Sequence, residues 1–415
     1  MNLPKAWSFA RTQIVSAPAF FVPVLFLCLP CLAQDRGAPW KRHMVDDSSR
    51  GADGVRLLDV NGDGLQDAVT GWEEGGRIIA YLNPGPKQAK RKWPSVVVGK
   101  VGSPEDAVFA DLDGDGFSDV VSCCEGNTRN VFFHWAPKDQ SKFLDASAWR
   151  TELLPAARNA QRWMYALPLQ VDGKHGVDVI AGGKNPNASV GWFEAPEDPR
   201  KTSEWKWHSL YKAGWIMTLA AHDLDGDGDL DVVGSDRKGA ARGCFWLENP
   251  GPRRVKEEWK THRIGPTNKE VMFLVIRDVD QDGREDLLVA VRGAELLYLR
   301  RTSEKPLQWE THSIALPPNV GTAKAVNLGD VDLDGKRDLV FSCENAHGDK
   351  SGVVWLSYRK SVFDREWVAH EISGPEGVKY DLVKLLDLDG DGDLDALTCE
   401  ERTNLGVIWY ENPTK

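Results

Sequence analysis

Asp223-Leu-Asp-Gly-Asp-Gly-Asp-Leu-Asp231 sets a pattern, D-x-[DN]-x-D-G-x-x-D, that recurs along the whole chain. Close copies start at Asp59, Asp111, Asp278, Asp330 and Asp387. A degraded copy, Gln170-Val-Asp-Gly-Lys-His-Gly-Val-Asp178, falls between the second and third strong ones. The seven starts are 52, 59, 53, 55, 52 and 57 residues apart. A near-constant period of this size marks a repeat array, not a string of independent domains.

The flanks repeat as well. An apolar stretch such as Met217-Thr-Leu-Ala-Ala-His222 precedes the motif, and a β-branched run such as Asp231-Val-Val-Gly follows it. An aromatic run ending in a Pro turn comes next (Cys244-Phe-Trp-Leu-Glu-Asn-Pro250), and then a Trp-x-x-His segment such as Trp259-Lys-Thr-His262. Short apolar runs bounded by Gly, Asn, Asp and Pro read as strands joined by tight turns. Four strands in about 50 residues make one propeller blade. The expectation is an all-β, seven-bladed β-propeller with four-stranded blades and very little helix, covering residues 40–413. The last repeat has three strands, ending at Val407-Ile-Trp-Tyr-Glu-Asn-Pro413, and a lone fourth strand, residues 40–45, precedes the first. That N-terminal strand is expected to complete blade seven and close the ring, removing exposed strand edges.

Residues 1–33 read as a secretory signal peptide. Lys5 and Arg11 precede an apolar run, Ala19 to Ala33, that is short, broken by proline and ends in a small residue. This implies a secreted or periplasmic protein with no membrane span after cleavage. The formal charge of −11 becomes −13 without Lys5 and Arg11, which disfavours a nucleic-acid partner. Cys123, Cys124, Cys244, Cys343 and Cys399 are an odd number at irregular spacing, which is no disulfide framework.

Alternate carboxylates on a tight loop supply the oxygens that a hard cation such as Ca²⁺ requires. The candidate ligands stand at positions 1, 3, 5 and 9 of each strong copy. They are Asp59, Asn61, Asp63 and Asp67; Asp111, Asp113, Asp115 and Asp119; and Asp223, Asp225, Asp227 and Asp231. The remaining three sets are Asp278, Asp280, Asp282 and Asp286; Asp330, Asp332, Asp334 and Asp338; and Asp387, Asp389, Asp391 and Asp395. Position 12 carries Gly234 or Thr398 in place of a glutamate, so position 9 is expected to close the site. About six structural Ca²⁺ ions follow, with none at the degraded loop, where Lys174 brings an ammonium to position 5.

With these loops placed between the first two strands of each blade, the chain resembles the FG-GAP/VCBS repeat family, whose members include integrin α-subunit heads. It is more similar still to bacterial secreted proteins of this repeat type. The Phe-Gly and Gly-Ala-Pro signatures are largely absent. The resemblance implies that the calcium hairpins lie on one face, and the loops joining strands two and three on the other, around the axis. Six residues past each position 9 stand Glu73, Glu125, Lys184, Arg237, Arg292, Glu344 and Glu401, charged in every repeat. Six before each motif stand Asp53, Glu105, Met164, Met217, Met272, Lys324 and Asp381. A funnel with an acidic arc and a basic arc (Lys184, Arg237, Arg292) is expected if both registers hold, against the plainer reading of solvated loop tips.

His43, His208, His262, His312 and His370 belong to the repeated fourth strand and read as architecture. His347, in the long loop after Cys343, is the candidate general base. The favoured reading is a monomeric binding module for an extracellular protein or polysaccharide, not an enzyme. The alternative is a polysaccharide lyase or sugar-dehydratase-like enzyme, in which the basic arc would neutralise a uronate and His347, Tyr165 or Tyr380 would move a proton.

Overall fold

β-branched runs punctuated by Gly, Asn, Asp and Pro form seven antiparallel sheets of four strands each, among the described residues 36–304 and 307–415 of this computed structural model. The expected signal segment, residues 1–33, lies outside the described residues. Blade one holds Ala52–Leu58, Asp67–Trp72, Arg77–Tyr81 and Ser95–Gly99. Blade four holds Ile216–His222, Asp231–Asp236, Gly243–Glu248 and Lys260–Gly265. Helix is limited to four three-residue 3₁₀ turns among the described residues.

Blade seven is built from both ends of the described chain. Lys384–Leu386, Asp395–Glu400 and Gly406–Glu411 are completed by Lys41–Asp46, with His43 opposite Trp409. The expected strand 40–45 is therefore present, one residue later.

The second strand of each blade is buried along its length, as in Asp67–Trp72 and Asp231–Asp236. Buried on both faces, it reads as a continuous apolar run and not as an alternating one. The core is accordingly a set of clusters between neighbouring blades. Val45, Trp72, Tyr81, Leu397 and Trp409 pack blade seven on blade one, and Val340, Trp355, Tyr380, Ile408 and Tyr410 pack blade six on blade seven. The five cysteines are buried and unbridged, so apolar packing between blades fills the place that disulfides hold in small secreted domains.

Six inner strands share a β-bulge against their second strand. The bulged positions include Glu105, Met164, Met217, Met272 and Lys324, which are the residues six before the motif in blades two to six. A bulge bends the strand and re-aims the extra side chain, here towards the ring axis in most blades.

Deleting residues 36–46 should strand Gly406–Glu411 with an unpaired edge. We expect aggregation or a broad, non-cooperative melt. A deletion variant that stays monomeric and melts as sharply as the parent would show that the first strand is dispensable for closure.

Candidate functional site

In each aspartate loop, position 1 caps the turn. Asp59 accepts from the amides of Gly62 (2.8 Å), Asp63 (3.2 Å) and Gly64 (2.9 Å), and Asp223 repeats this with Gly226, Asp227 and Gly228. Gly64 and Gly228 have φ of 85° and 96°, a region only glycine enters freely, which accounts for Gly at position 6. These amides turn the carboxylates of positions 1, 3 and 5 inwards. In blades two, four and five their oxygens lie within 4.8 Å of one another.

Position 9 behaves differently from expectation. Asp231 is buried and accepts from Leu224 N (3.0 Å) and Asn249 N (2.8 Å), so each oxygen already holds a backbone amide. Asp67, Asp119, Asp286 and Asp395 do the same. So does Asp178 of the degraded loop, with Val171 N (2.9 Å) and Ala195 N (2.8 Å). Position 9 ties its loop to the end of the third strand, and any ligand role draws on the lone pairs left over. Burial pushes Asp178 up to about 6 and Asp231 to about 7, although the amides pull the other way.

Position 3 carries a different signal. The Oδ1 atoms of Asp113, Asp280 and Asp389 are buried with no hydrogen-bond partner, on side chains 7, 7 and 8 % exposed. Asp330 Oδ1 at position 1 is orphaned likewise. Such an oxygen is costly unless a cation meets it. The outer oxygens are met by protein cations: Arg300 reaches Asp280 (2.5 Å) and Lys90 reaches Asp389 (2.9 Å). In the degraded loop Lys174 bonds Asp172 (3.1 Å), and Gln170 closes the turn through the carbonyls of Lys174 and Gly176. The all-oxygen donor set of the strong loops, with an orphaned oxygen in four of them, fits Ca²⁺; that of the degraded loop does not.

On the axis lies a cavity of about 310 Å³. Of the seven charges expected there, Glu73, Glu125, Lys184, Arg237 and Glu344 line it, joined by Asp53, Glu105, Met164, Met217, Lys324 and Asp381 from the earlier register. Glu401 stands at its edge, ion-paired with the lining Lys379, and Arg292 lies 3.7 Å from Glu270. Met272 is instead wholly buried in the core.

The charges are neither simply solvated nor divided into two free arcs. Lys184, Arg237 and Glu401 are only 6–7 % exposed. Lys184 sits between Glu105 (3.1 Å) and Glu125, and Lys324 between Asp381 and Asp53. Glu270 bridges Arg237 (3.2 Å) and Arg292, so the expected basic arc is already neutralised. Burial pushes Glu105 up to about 8, and burial with the Asp381 charge raises Asp53 as well. Seven carboxyls against four cations line the cavity. Trp215 also lines it, with Lys184, Arg237 and Lys238 at 4.6, 4.6 and 4.7 Å from its ring centroid.

Tyr165 lines the same cavity beneath the Arg56 guanidinium (4.4 Å). His347 does not: it is exposed on the loop between Asp338–Glu344 and Val353–Ser357. Tyr380 is buried against Tyr410, hydroxyl to hydroxyl at 2.9 Å. Four of the five repeated histidines stack on third-strand tryptophans, as His262 on Trp246 at 4.0 Å and His370 on Trp355 at 3.7 Å, while His312 meets Tyr298. His208 and His262 also bond the glutamate that ends the third strand, at 2.7 and 2.6 Å. Sequence reading missed Trp215, Glu270 and Lys379, although all three stand eight residues before their motifs at Asp223, Asp278 and Asp387; the residue type there changes from blade to blade.

A family profile described as FG-GAP-like repeat matches residues 59–122 and 278–341. No curated protein matches. Among solved structures, a chain from the crystal structure of BBS1N in complex with ARL6DN, soaked with mercury, is 10% identical with a TM-score of 0.51. The match covers 92% of this chain and 100% of that one. The lead-soaked counterpart matches with the same identity and TM-score over 89% and 98%. At that identity the likeness speaks for the fold alone.

Asp178→Ala isolates the amide clamp, because its loop holds no complete carboxylate set. Leaving Val171 N and Ala195 N without acceptors should cost about 2–5 kcal/mol, equally with calcium and with chelator. A urea denaturation loss below about 1 kcal/mol would remove the clamp from the account.

Proposed function

We propose, from the premise that this chain is a seven-bladed propeller of FG-GAP-like repeats, that it is a secreted or periplasmic binding module, stapled by calcium, that holds its partner at the axial cavity. The observation that carries the binding site is the convergence of loop-end and bulge side chains from separate blades on one cavity floored by Trp215. Aromatic faces beside carboxyls suit a hydroxyl-rich or amine-bearing sugar. The surplus of carboxyls disfavours an acidic ligand there. Calcium is supported by the orphaned position-3 oxygens of Asp113, Asp280 and Asp389. Export is supported by the apolar run from Ala19 to Ala33 behind Lys5 and Arg11. Among the described residues no helix is long and apolar enough to cross a membrane.

The lyase reading is weaker: of its candidate bases, His347 stands away from the cavity, Tyr380 is buried against Tyr410, and Tyr165, which does line the cavity, has its pKa raised by burial. The cations meant for a uronate carboxylate are held by Glu270, Glu105 and Glu125.

Thorough chelation should lower the melting temperature by about 10 °C or more, as expected when several ions bind only the folded state, and Ca²⁺ should restore it. On a glycan array with calcium present, the protein should retain neutral or amino-sugar ligands. Trp215→Ala should lose them while its calcium-dependent melt is kept. Unchanged melting on chelation would end the stapling reading. Retention of uronates alone, with release of unsaturated products, would replace binding with catalysis.

A further inference from the structure

Below the Trp215 cavity the axis continues into a second chamber of about 420 Å³, separated from the first by Tyr165, Phe273 and Leu382, which border both. This chamber opens towards the aspartate-loop side, where His222, Arg277 and Glu285 line it. Its other charged residue is Lys384, on the short inner strand Lys384–Leu386 of blade seven.

Lys384 differs from the buried cations around it. Arg56 has Asp106 (3.1 Å), Lys184 has Glu105, Lys324 has Asp381 and Lys379 has Glu401. The side chain of Lys384 makes no hydrogen bond or ion pair among the described residues. It is half-buried, and burial, with Arg56 and Arg277 nearby, lowers its pKa to about 8, against the weaker pull of Asp106 and Asp381. Arg56 and Lys384 occupy the same register, three residues before the motif, on adjacent blades. Arg277 stands one residue before its own motif, exposed, with its guanidinium donating to the Ile276 carbonyl. A protein rarely leaves an ammonium in a partly enclosed chamber beside two guanidiniums without a counter-charge, because desolvation and like-charge repulsion both act against it.

We infer that this lower chamber is an oxyanion site, in which Lys384 and Arg277 take a carboxylate or sulfate group that enters from the aspartate-loop side. The ammonium of Lys384 donates to the anion, and Arg277 supplies the second charge at the rim. Arg56 stays on Asp106 and contributes through its field. Glu285 at the opening penalises anions that do not reach Lys384. The site shares only Tyr165, Phe273 and Leu382 with the Trp215 cavity, and Arg277 borders and Glu285 belongs to the aspartate loop of blade five, so the test is run with calcium present. Its oxyanion can belong to a sugar acid or be free inorganic sulfate.

The test uses the full chain in calcium, at constant ionic strength, with sodium sulfate and sodium galacturonate as separate probes. At pH 8 the amine of Lys384 should be methylated by formaldehyde and borohydride faster than exposed lysines. The probe that binds should slow that modification at least about tenfold, read by peptide mass spectrometry. Protection by galacturonate but not sulfate assigns a sugar acid, and the reverse assigns the free anion. In calorimetry Lys384→Met should weaken the same probe about tenfold or more. Arg277→Gln, at an exposed position that leaves folding intact, should weaken it severalfold. Protection by neither probe at 50 mM, or equal affinity in both variants and the parent, overturns the proposal.

Discussion

A carboxylate no more than 2 % exposed stands at position 9 of every repeat, and in six blades both of its oxygens accept backbone amides. One amide belongs to the second residue of its own loop and the other to a residue at or just past the end of the third strand, or within it in blade five. A single side chain thus ties the first hairpin of a blade to the second. In blades one, four and seven the residue supplying the second amide is Asn83, Asn249 or Asn412, whose side chain donates back to the carbonyl before the aspartate at 3.0–3.3 Å. This double tie explains the Asn-Pro turn that closes the third strand. It also explains why blade three keeps Asp178 while losing the acids of positions 1 and 5.

The axial charges obey a related economy. Lys324 would be depressed by burial alone, but Asp381 and Asp53 hold it well above its usual range, and Lys324 in turn lowers Asp381 against burial. Removing one member of such a pair leaves a buried charge uncompensated, which costs far more than a surface ion pair is worth. The cations that line the cavity are therefore each held by a carboxylate. Its surplus carboxyls Glu73 and Glu344 are half-buried and make no ion pair among the described residues.

The blade count, the strand order and the closing strand were legible because each repeat writes the same period, and a period survives the loss of any one residue. The charges six past position 9 were legible for the same reason, since the buried second strand has a fixed length. What the sequence hid was compensation. Glu270 stands eight residues before its motif, a register that carries Trp215 in blade four and Lys379 in blade seven, so no shared chemistry announced that it would hold Arg237 and Arg292. The bulge hid as well: nothing in Arg162-Trp-Met-Tyr165 announces that Met164 drops out of pairing and turns Tyr165 towards the axis. Position 9 read as a ligand because its chemistry allows one, and only the two amides reveal its first duty. His347 drew attention by the length of its loop, and loop length says nothing about whether a side chain reaches the axis; it is exposed and does not line the cavity.

Clamp and cavity are linked by one element. In blade four the second strand begins at the clamp, Asp231, ends at Asp236, and delivers Arg237 to the cavity immediately afterwards. Six extended residues span about 20 Å, buried along their length, so the strut has no room to bend without opening a void on one of its faces. Where the loop at one end is set, the charge at the other end is set with it. Blade three tests this internally, because its loop is closed by Gln170 and Lys174 and its strut still delivers Lys184 between Glu105 and Glu125. The cavity therefore requires that each loop be fixed, by whatever cation does the fixing. An ammonium suffices once, and the proposed Ca²⁺ ions would fix the six loops that carry the full donor set.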